Sequence, residues 1–526
     1  MPKTFYLTTA IDYTNAPPHI GHASEKVLAD AVARYGRLFG NKIFLLTGVD
    51  QHGQKVQQSA EKLNLKPEEF VAGVTQQFLD LWKRLEVNYD GWAATVEPVH
   101  QRVVKSMLQE LYDVGQIYKR STKGMYSVRQ EQFLMDRDRN DQGEFGPEWG
   151  EVEEREEENY YFRLSDHVDW LQEFLNQHPN AVFPDSRMSM LKNAVQDTVG
   201  QDLCISRPKS RLSWGIELPF DKDFVTFVWF DALTNYISFA GYRKEASNDR
   251  LPNFSDLWPC DAHIIGKDIL VPAHGIYWLI MLHALGFNDE EMPKLIVHGF
   301  WNVRGEKMSK SLGNVVNPND LADVVGEDGL RYYLLSDIAT GQDSDISADR
   351  VIMRYHSDLA NVLGNLLNRT LNMANKYLEG KIQETTHDDV LAIELRAAVE
   401  ALPQLTREAL QTYQIHKALA ASWEVLNLAN TYVEKTAPFK LAKDPANAPQ
   451  VAAIMRNLAE SILHVSILIA PVVPKAARNI QKQLGWESDR VMTLADLHWG
   501  LLRPGHQLGI GTPMFPRVEV EAKTPS

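Results

Sequence analysis

Cysteine is almost missing from this chain: Cys204 and Cys260 are the only two in 526 residues. That scarcity excludes a disulfide framework and any all-cysteine zinc site, and it fits a reducing compartment. No apolar run approaches about 18 uninterrupted residues, the length that crosses a bilayer as a helix. The first residues, MPKTFYLTTAI, lack both the basic and the long apolar region of a leader. A cytoplasmic location with no membrane contact is the expectation. Positive charge is also scarce, with 54 Lys and Arg against 69 Asp and Glu and a formal net charge of −15. This balance argues against a protein that coats nucleic acid by neutralising phosphate, so any RNA contact must use a local basic strip. Apolar residues are plentiful, at 44% of the chain. They suffice for large cores, and the length points to two to four domains.

Periodicity divides the chain. Thr4–Ile11 reads as a strand, Ala23–Phe39 repeats apolar residues at helical spacing, and Lys42–Thr47 is apolar again, which makes a first βαβ unit. The same alternation returns at Ala262–Gly266, Leu270–Leu285 and Lys294–Gly299, so a parallel sheet is expected in two halves. Between them, from about Gly115 to Asp223, lies an insertion. Its charged run Asp136–Asn159 has no apolar period and reads as a solvated knuckle or loop. After about Ala348 only helical patterns remain, at Asp358–Tyr377, Val390–Tyr413, His416–Lys435 and Gln450–Ile469, which predicts a helix bundle.

Two short motifs carry chemistry. In PPHIGH, Pro17–His22, the prolines stop a strand and Gly21 allows close backbone approach as a helix begins. A helix N-terminus offers N–H groups and a dipole suited to phosphate. His19 and His22 can donate hydrogen bonds to oxygens that gain negative charge in phosphoryl transfer. By itself the tetrad reads more simply as two histidines capping a helix. The second motif, GEKMSKSLGN at Gly305–Asn314, follows the second half of the sheet and gathers Lys307 and Lys310 in one loop. Alone it would be an ordinary solvated turn. Together the two can converge on one anionic ligand.

This pairing resembles the class I aminoacyl-tRNA synthetases, whose signatures HIGH and KMSKS stand intact at 19–22 and 307–311. TTAIDYTNAPPHIGH, LTGVDQHGQKVQ, EEENYYFRLS, VWFDALTNYI, HIIGKDIL and HGFWNVRGEKMSKSLGN look like the methionyl-tRNA synthetases within that class, over nearly the whole chain. The resemblance implies ATP, Mg²⁺, L-methionine and tRNA(Met) as partners. It also implies adenylation of methionine with loss of pyrophosphate, followed by transfer to tRNA. His19, Gly21, His22, Gly266, Asp268, His298, Gly299 and Lys310 would bind ATP, with Lys307 and Lys310 meeting the migrating negative charge. Ile11, Tyr13, Trp229, Tyr236, His274 and Trp278 match the family's methionine pocket, which must rely on shape and sulfur–aromatic contact. Asp50 would pair with the substrate ammonium and Arg207 would lie near its carboxylate. Asn365 and Arg369, four apart on one helix, match the anticodon readers. Phe439 stands where relatives usually have a stacking tryptophan, and offers less stacking area.

Where many relatives have a Cys-x-x-Cys knuckle, this chain reads Tyr126-Ser127-Val128-Arg129-Gln130, and GPEW nearby also lacks cysteine, so no structural zinc is expected. The expected fold class is α/β: a Rossmann-like parallel-sheet catalytic domain split by a connective insertion, then an all-α helix-bundle anticodon-binding domain. The expected divisions are 1–115 and 229–325 for the catalytic halves, 116–228 for the insertion, 326–349 for a linking segment and 350–526 for the bundle. The chain stops soon after PMFPRVEV, without the module that dimerises some relatives, which suggests a monomer. Synthetases for isoleucine, valine or leucine carry an editing insertion that does not fit this length, and the cysteine enzyme needs metal-binding cysteines. A small-molecule nucleotidylyltransferase would leave the KMSKS loop and the helical third unexplained. An inactive RNA-binding homologue would be expected to lose signature residues.

Overall fold

The computed structural model describes residues 3–127, 132–134, 136–140, 142–308, 314–385, 389–487 and 492–518. Its central sheet is built from β1 (Phe5–Thr9), β2 (Asp12–Tyr13), β3 (Ile43–Asp50), β4 (Gly91–Ala94), β5 (Val182–Phe183), β6 (Ala262–Gly266) and β7 (Leu295–His298). Across the sheet they run β4, β3, β1, β6, β7, β5, with β2 prolonging the β1 side of β3, and every pairing is parallel. β1 and β6 are neighbours in space, yet more than two hundred residues separate them, so the two halves join in the middle of the sheet. Here the strand order reverses, and a crevice opens beyond the carboxyl ends of β1 and β6. Both central strands are buried on two faces, which is why FYLTT and AHIIG read as apolar runs and not as alternations.

α1 (Ile20–Leu38) leaves this crevice and buries Ala23, Val27, Leu28, Ala31, Tyr35 and Leu38 against β3 and the helix α2 (Pro318–Ser336). The expected helix Leu270–Leu285 is regular only over Leu279–Ala284. Its first part, Leu270–Trp278, is π-helical with an extended Val271 before Pro272, a residue that has no N–H for a regular ladder.

The charged run is not simply a loop. Val152–Phe162 pairs antiparallel with Ile117–Ser127 along eleven residues of each. Opposite charges meet diagonally across the ladder, Lys119 to Glu158 at 2.9 Å and Lys123 to Glu154 at 3.5 Å. Exposed pairs of this kind contribute about 0–1 kcal/mol each, so the anchor is the buried end of the strand, Tyr160, Tyr161 and Phe162. The insertion also supplies β5, which adds to the catalytic sheet at Leu295 and Ile296.

The C-terminal region is helical as expected: α3 (Asn365–Leu378), α4 (Val390–Gln411), α5 (Ile415–Thr436) and α6 (Ala448–Ile469). Pro445–Ile469 is long and apolar enough to cross a membrane by composition, with mean hydropathy 1.4, but 94% of that window is buried among α3, α4 and α5. Its apolarity is that of a core helix. The buried Glu460 on it is satisfied by the N–H groups of Gly500, Leu501 and Leu502.

Candidate active site

His19 and His22 meet at the start of α1, their rings stacked with centroids 3.8 Å apart. The Nδ1 of His19 accepts from the Gly21 N–H, and the Nδ1 of His22 accepts from the His19 N–H, each at 3.1 Å. An accepting Nδ1 carries no proton, so each neutral ring holds its proton on Nε2 and presents that atom as a donor. The helix terminus differs from the expectation of open N–H groups: Ile20 donates to the Val316 carbonyl at 3.0 Å and Gly21 to His19. The first two backbone donors of the helix, at Ile20 and Gly21, are therefore already used. Gly21 is required for this arrangement, since a Cβ there would stand 2.9 Å from Cε1 of His19.

Two adjoining clefts open at the crevice. The first, about 330 Å³, is lined by His19, Gly21 and His22, by Gly266 and Asp268 at the end of β6, and by His298 and Gly299 at the end of β7. Met308 of the second motif also reaches it. The backbone of Lys307 pairs with Asn302; its side chain, like the whole of Lys310, lies outside the described residues. At the floor is a network that sequence reasoning missed. Lys26, wholly buried, donates to Asp12 at 2.8 Å, Glu25 at 2.7 Å and the Ala10 carbonyl at 2.8 Å. The other oxygen of Glu25 meets Nε2 of His298 at 3.0 Å, while Nδ1 of His298 meets the Gly299 carbonyl at 2.8 Å. Acceptors at both nitrogens favour the protonated ring. Burial opposes that charge, but the bond to Glu25 and its negative charge hold the imidazole above its usual range. Burial pushes Asp12 up to about 7 despite Lys26 beside it. The one sequence signal for this network was charge at Glu25 and Lys26 on a helix otherwise read as apolar.

The second cleft, about 500 Å³, shares Ile11, Tyr13 and Asp268 with the first and adds Asp50, Trp229, Tyr236 and His274. Nδ1 of His274 donates to the Ile269 carbonyl at 2.9 Å, which leaves Nε2 to accept the Tyr236 hydroxyl at 2.7 Å. Burial holds this histidine down at about 4, so the pair is neutral and suits an uncharged side chain. Asp50 is buried, and burial with the nearby charge of Asp231 pushes its carboxyl up to about 8. Such a group is poised to gain from an incoming cation.

Two of the expected pocket residues stand one layer back. Trp278 is fully buried behind Tyr236, with its indole N–H on His263 at 3.0 Å. Arg207 stacks on Phe227, a wall residue of the second cleft, at 3.8 Å. Away from the crevice, Asn365 and Arg369 are both exposed on α3 while Leu366, Leu367 and Leu371 face the core. Phe439 is 46% exposed on the short helix Pro438–Leu441.

Residues 5–142 and 149–371 match the family model described as tRNA synthetases class I (M), and residues 380–524 match the anticodon binding domain of methionyl tRNA ligase. The chain belongs to the class I methionyl-tRNA synthetases. Among the relatives of this synthetase, the methionine–tRNA ligase of Caldanaerobacter subterraneus subsp. tengcongensis is 39% identical, covering 100% of this chain and 81% of its own length. The Bacillus subtilis methionine–tRNA ligase is 38% identical over 99% of this chain and 78% of its own. The solved Mycobacterium tuberculosis methionyl-tRNA synthetase in complex with methionyl-adenylate superposes on the synthetase with a TM-score of 0.89 at 34% identity, over 98% of this chain and 100% of that one.

Proposed function

We propose that the first cleft holds ATP and the second methionine, with their shared wall at Ile11, Tyr13 and Asp268 marking where the two substrates react. The protein is a methionine–tRNA ligase: it activates methionine with ATP to methionyl-adenylate, releases pyrophosphate, and transfers methionine to the 3′ end of tRNA(Met). In the first step a methionine carboxylate oxygen bonds to the α-phosphorus as the bond to the β-phosphate oxygen breaks. No protein nucleophile is needed, so the chain contributes position and charge.

His19 and His22 donate from Nε2 to phosphate oxygens, and Lys307 and Lys310 neutralise the departing pyrophosphate. Gly266 and Gly299 let the nucleoside approach the backbone, Asp268 accepts from ribose hydroxyls, and His298 lies beside the base. The donors on the chain at the phosphate end are imidazoles, which suit phosphate oxygens and not a hard cation. Mg²⁺ is assigned to the triphosphate as its counter-ion, since among the described residues no group of three His, Cys, Asp or Glu could hold a metal. Asp50 pairs with the methionine ammonium, Trp229, Tyr236 and His274 enclose the thioether, and Trp278 and Arg207 support that wall from behind. Asn365 and Arg369 read anticodon bases, and Phe439 stacks on one.

The division at 1–115, 116–228, 229–325, 326–349 and 350–526, a cytoplasmic location and a monomeric state belong to the same reading. So does a zinc-free insertion. Val128–Gln130 lie outside the described residues, but the neighbouring turn is fastened by other means: the Trp149 indole donates to the Asp138 carbonyl at 3.0 Å, and the Ser127 hydroxyl to the Trp149 carbonyl. Metal analysis is expected to find less than one tightly held zinc per chain. The observation that carries the reading as a whole is the pair of clefts meeting at one wall. Amino-acid-dependent ATP–pyrophosphate exchange without tRNA tests it: methionine alone among the amino acids is expected to support exchange, and exchange with none would overturn it.

A further inference from the structure

Behind Asp50 lies a buried chain of polar groups that the adenylation scheme does not use. Asp50 and His52 sit together after β3, where the His52 N–H points to the Asp50 carboxylate at 3.4 Å. Nδ1 of His52 meets Asp231 at 2.7 Å, and the other oxygen of Asp231 meets Nε2 of His100 at 2.8 Å. His100 is held in turn by the Ser238 hydroxyl at 2.8 Å. His52, Asp231 and His100 are all buried. They come from three separate places: the loop after β3, the helix Pro98–Asp113, and the helix Val228–Ala232 that also carries Trp229. A charged carboxylate with an imidazole on each oxygen, out of water, is costly to assemble and rigid once formed.

We propose that the His52–Asp231 pair, buttressed by His100, is a positioning device for the amino-acid end of the site. It locks the loop bearing Asp50 to the helix bearing Trp229, and holds an imidazole beside Asp50 so that this carboxylate can meet the substrate ammonium. The inference rests on the assignment of Asp50 to that ammonium.

The electrostatics agree with the geometry. Burial opposes ionisation of Asp231, but the two histidines bring its carboxyl down to about 2, and Asp231 in turn raises His52 although burial works against it. His52 in turn offsets part of the push of burial and Asp231 on Asp50. The groups facing Asp50 are Thr95 beyond β4, Tyr13 of β2, Lys55 of the helix Gln54–Lys62, His52 of its own loop, and Asp231 with His100 behind it. Protonated Asp50 must release its proton to solvent as the ammonium binds. Methionine affinity should therefore rise with pH up to about 8, and below that pH calorimetry in buffers of different ionisation enthalpy should register proton release.

His52→Gln removes the imidazole that favours ionised Asp50. The pH profile of the methionine KM in the exchange reaction is expected to move by about one unit toward alkaline pH, which is about tenfold at a fixed pH on its rising limb. The KM for ATP should stay unchanged. A loss that is the same at every pH, or shared with ATP, would mean ordinary core packing and overturn the proposal. Should His52→Gln fold poorly, His100→Gln removes one support of Asp231 and leaves the other. It is expected to move the same profile by less, and an unmoved profile in the folded protein would count against the proposal. Asp50→Asn separates the two claims: undiminished methionine binding in that variant overturns the Asp50 assignment, whereas weakened binding with an unmoved His52→Gln profile overturns the positioning role alone.

Discussion

His19 and His22 each use one ring nitrogen to begin a helix, so in the proposed reading capping and phosphate binding are two uses of the same rings. Gly21 makes this possible, because any Cβ would press on the His19 ring. Gly21→Ala is expected to displace that ring and cut kcat/KM for ATP by about tenfold or more, about 1.4 kcal/mol of lost transition-state binding. Far-UV circular dichroism should remain unchanged, since alanine favours the helix. At Lys26 the issue is charge balance. Lys26→Met would leave Asp12 and Glu25 buried without their cation, and breaking a buried pair costs about 3–5 kcal/mol. Denaturant unfolding should show that loss, and adding Asp12→Asn should recover part of it, because one of the two stranded carboxylates is then gone.

At the scale of elements, α3 shows how a surface can be read from sequence. Its leucines face the bundle, and asparagines with Arg369 face outward where a solvated helix would more usually carry Glu and Lys. Arg369→Ala is expected to reduce tRNA aminoacylation while leaving ATP–pyrophosphate exchange intact. Equal loss of both would break the separation between anticodon reading and activation. Phe439→Trp should lower the KM for tRNA through greater stacking area, on a scale of about 1–3 kcal/mol per stacked base. The insertion hairpin taught the opposite lesson. Its charges hid a strand, because the sequence does not show that Glu154 and Glu158 will meet Lys123 and Lys119 diagonally across the ladder.

Over the whole molecule, a buried guanidinium is one of the ties between the helices packed on the catalytic sheet and the helical bundle. Arg331 on α2 donates to Asp30 of α1 at 2.7 Å, to the Leu85 carbonyl, and to the Pro471 and Val472 carbonyls just past α6. Its five N–H donors suit this many partners, where lysine has three. Arg331→Lys is therefore expected to destabilise the protein by about 3–5 kcal/mol, read as a lower midpoint in denaturant for both regions together.

The two signature motifs, the split of the sheet, the apolar periods and the outward face of α3 were all legible in the sequence, because each is a local pattern that chemistry or periodicity constrains within a few residues. The order of strands, the tautomers of His19 and His22, the bond from Ile20 to Val316, and the networks through Lys26 and Asp231 were settled only by tertiary structure. Their partners come from distant segments: His52 meets Asp231 across 179 residues and Glu25 meets His298 across 273. A charged residue in a sequence carries no mark of the group that will neutralise it, and only the closing of the two half-sheets brings those groups within hydrogen-bonding distance.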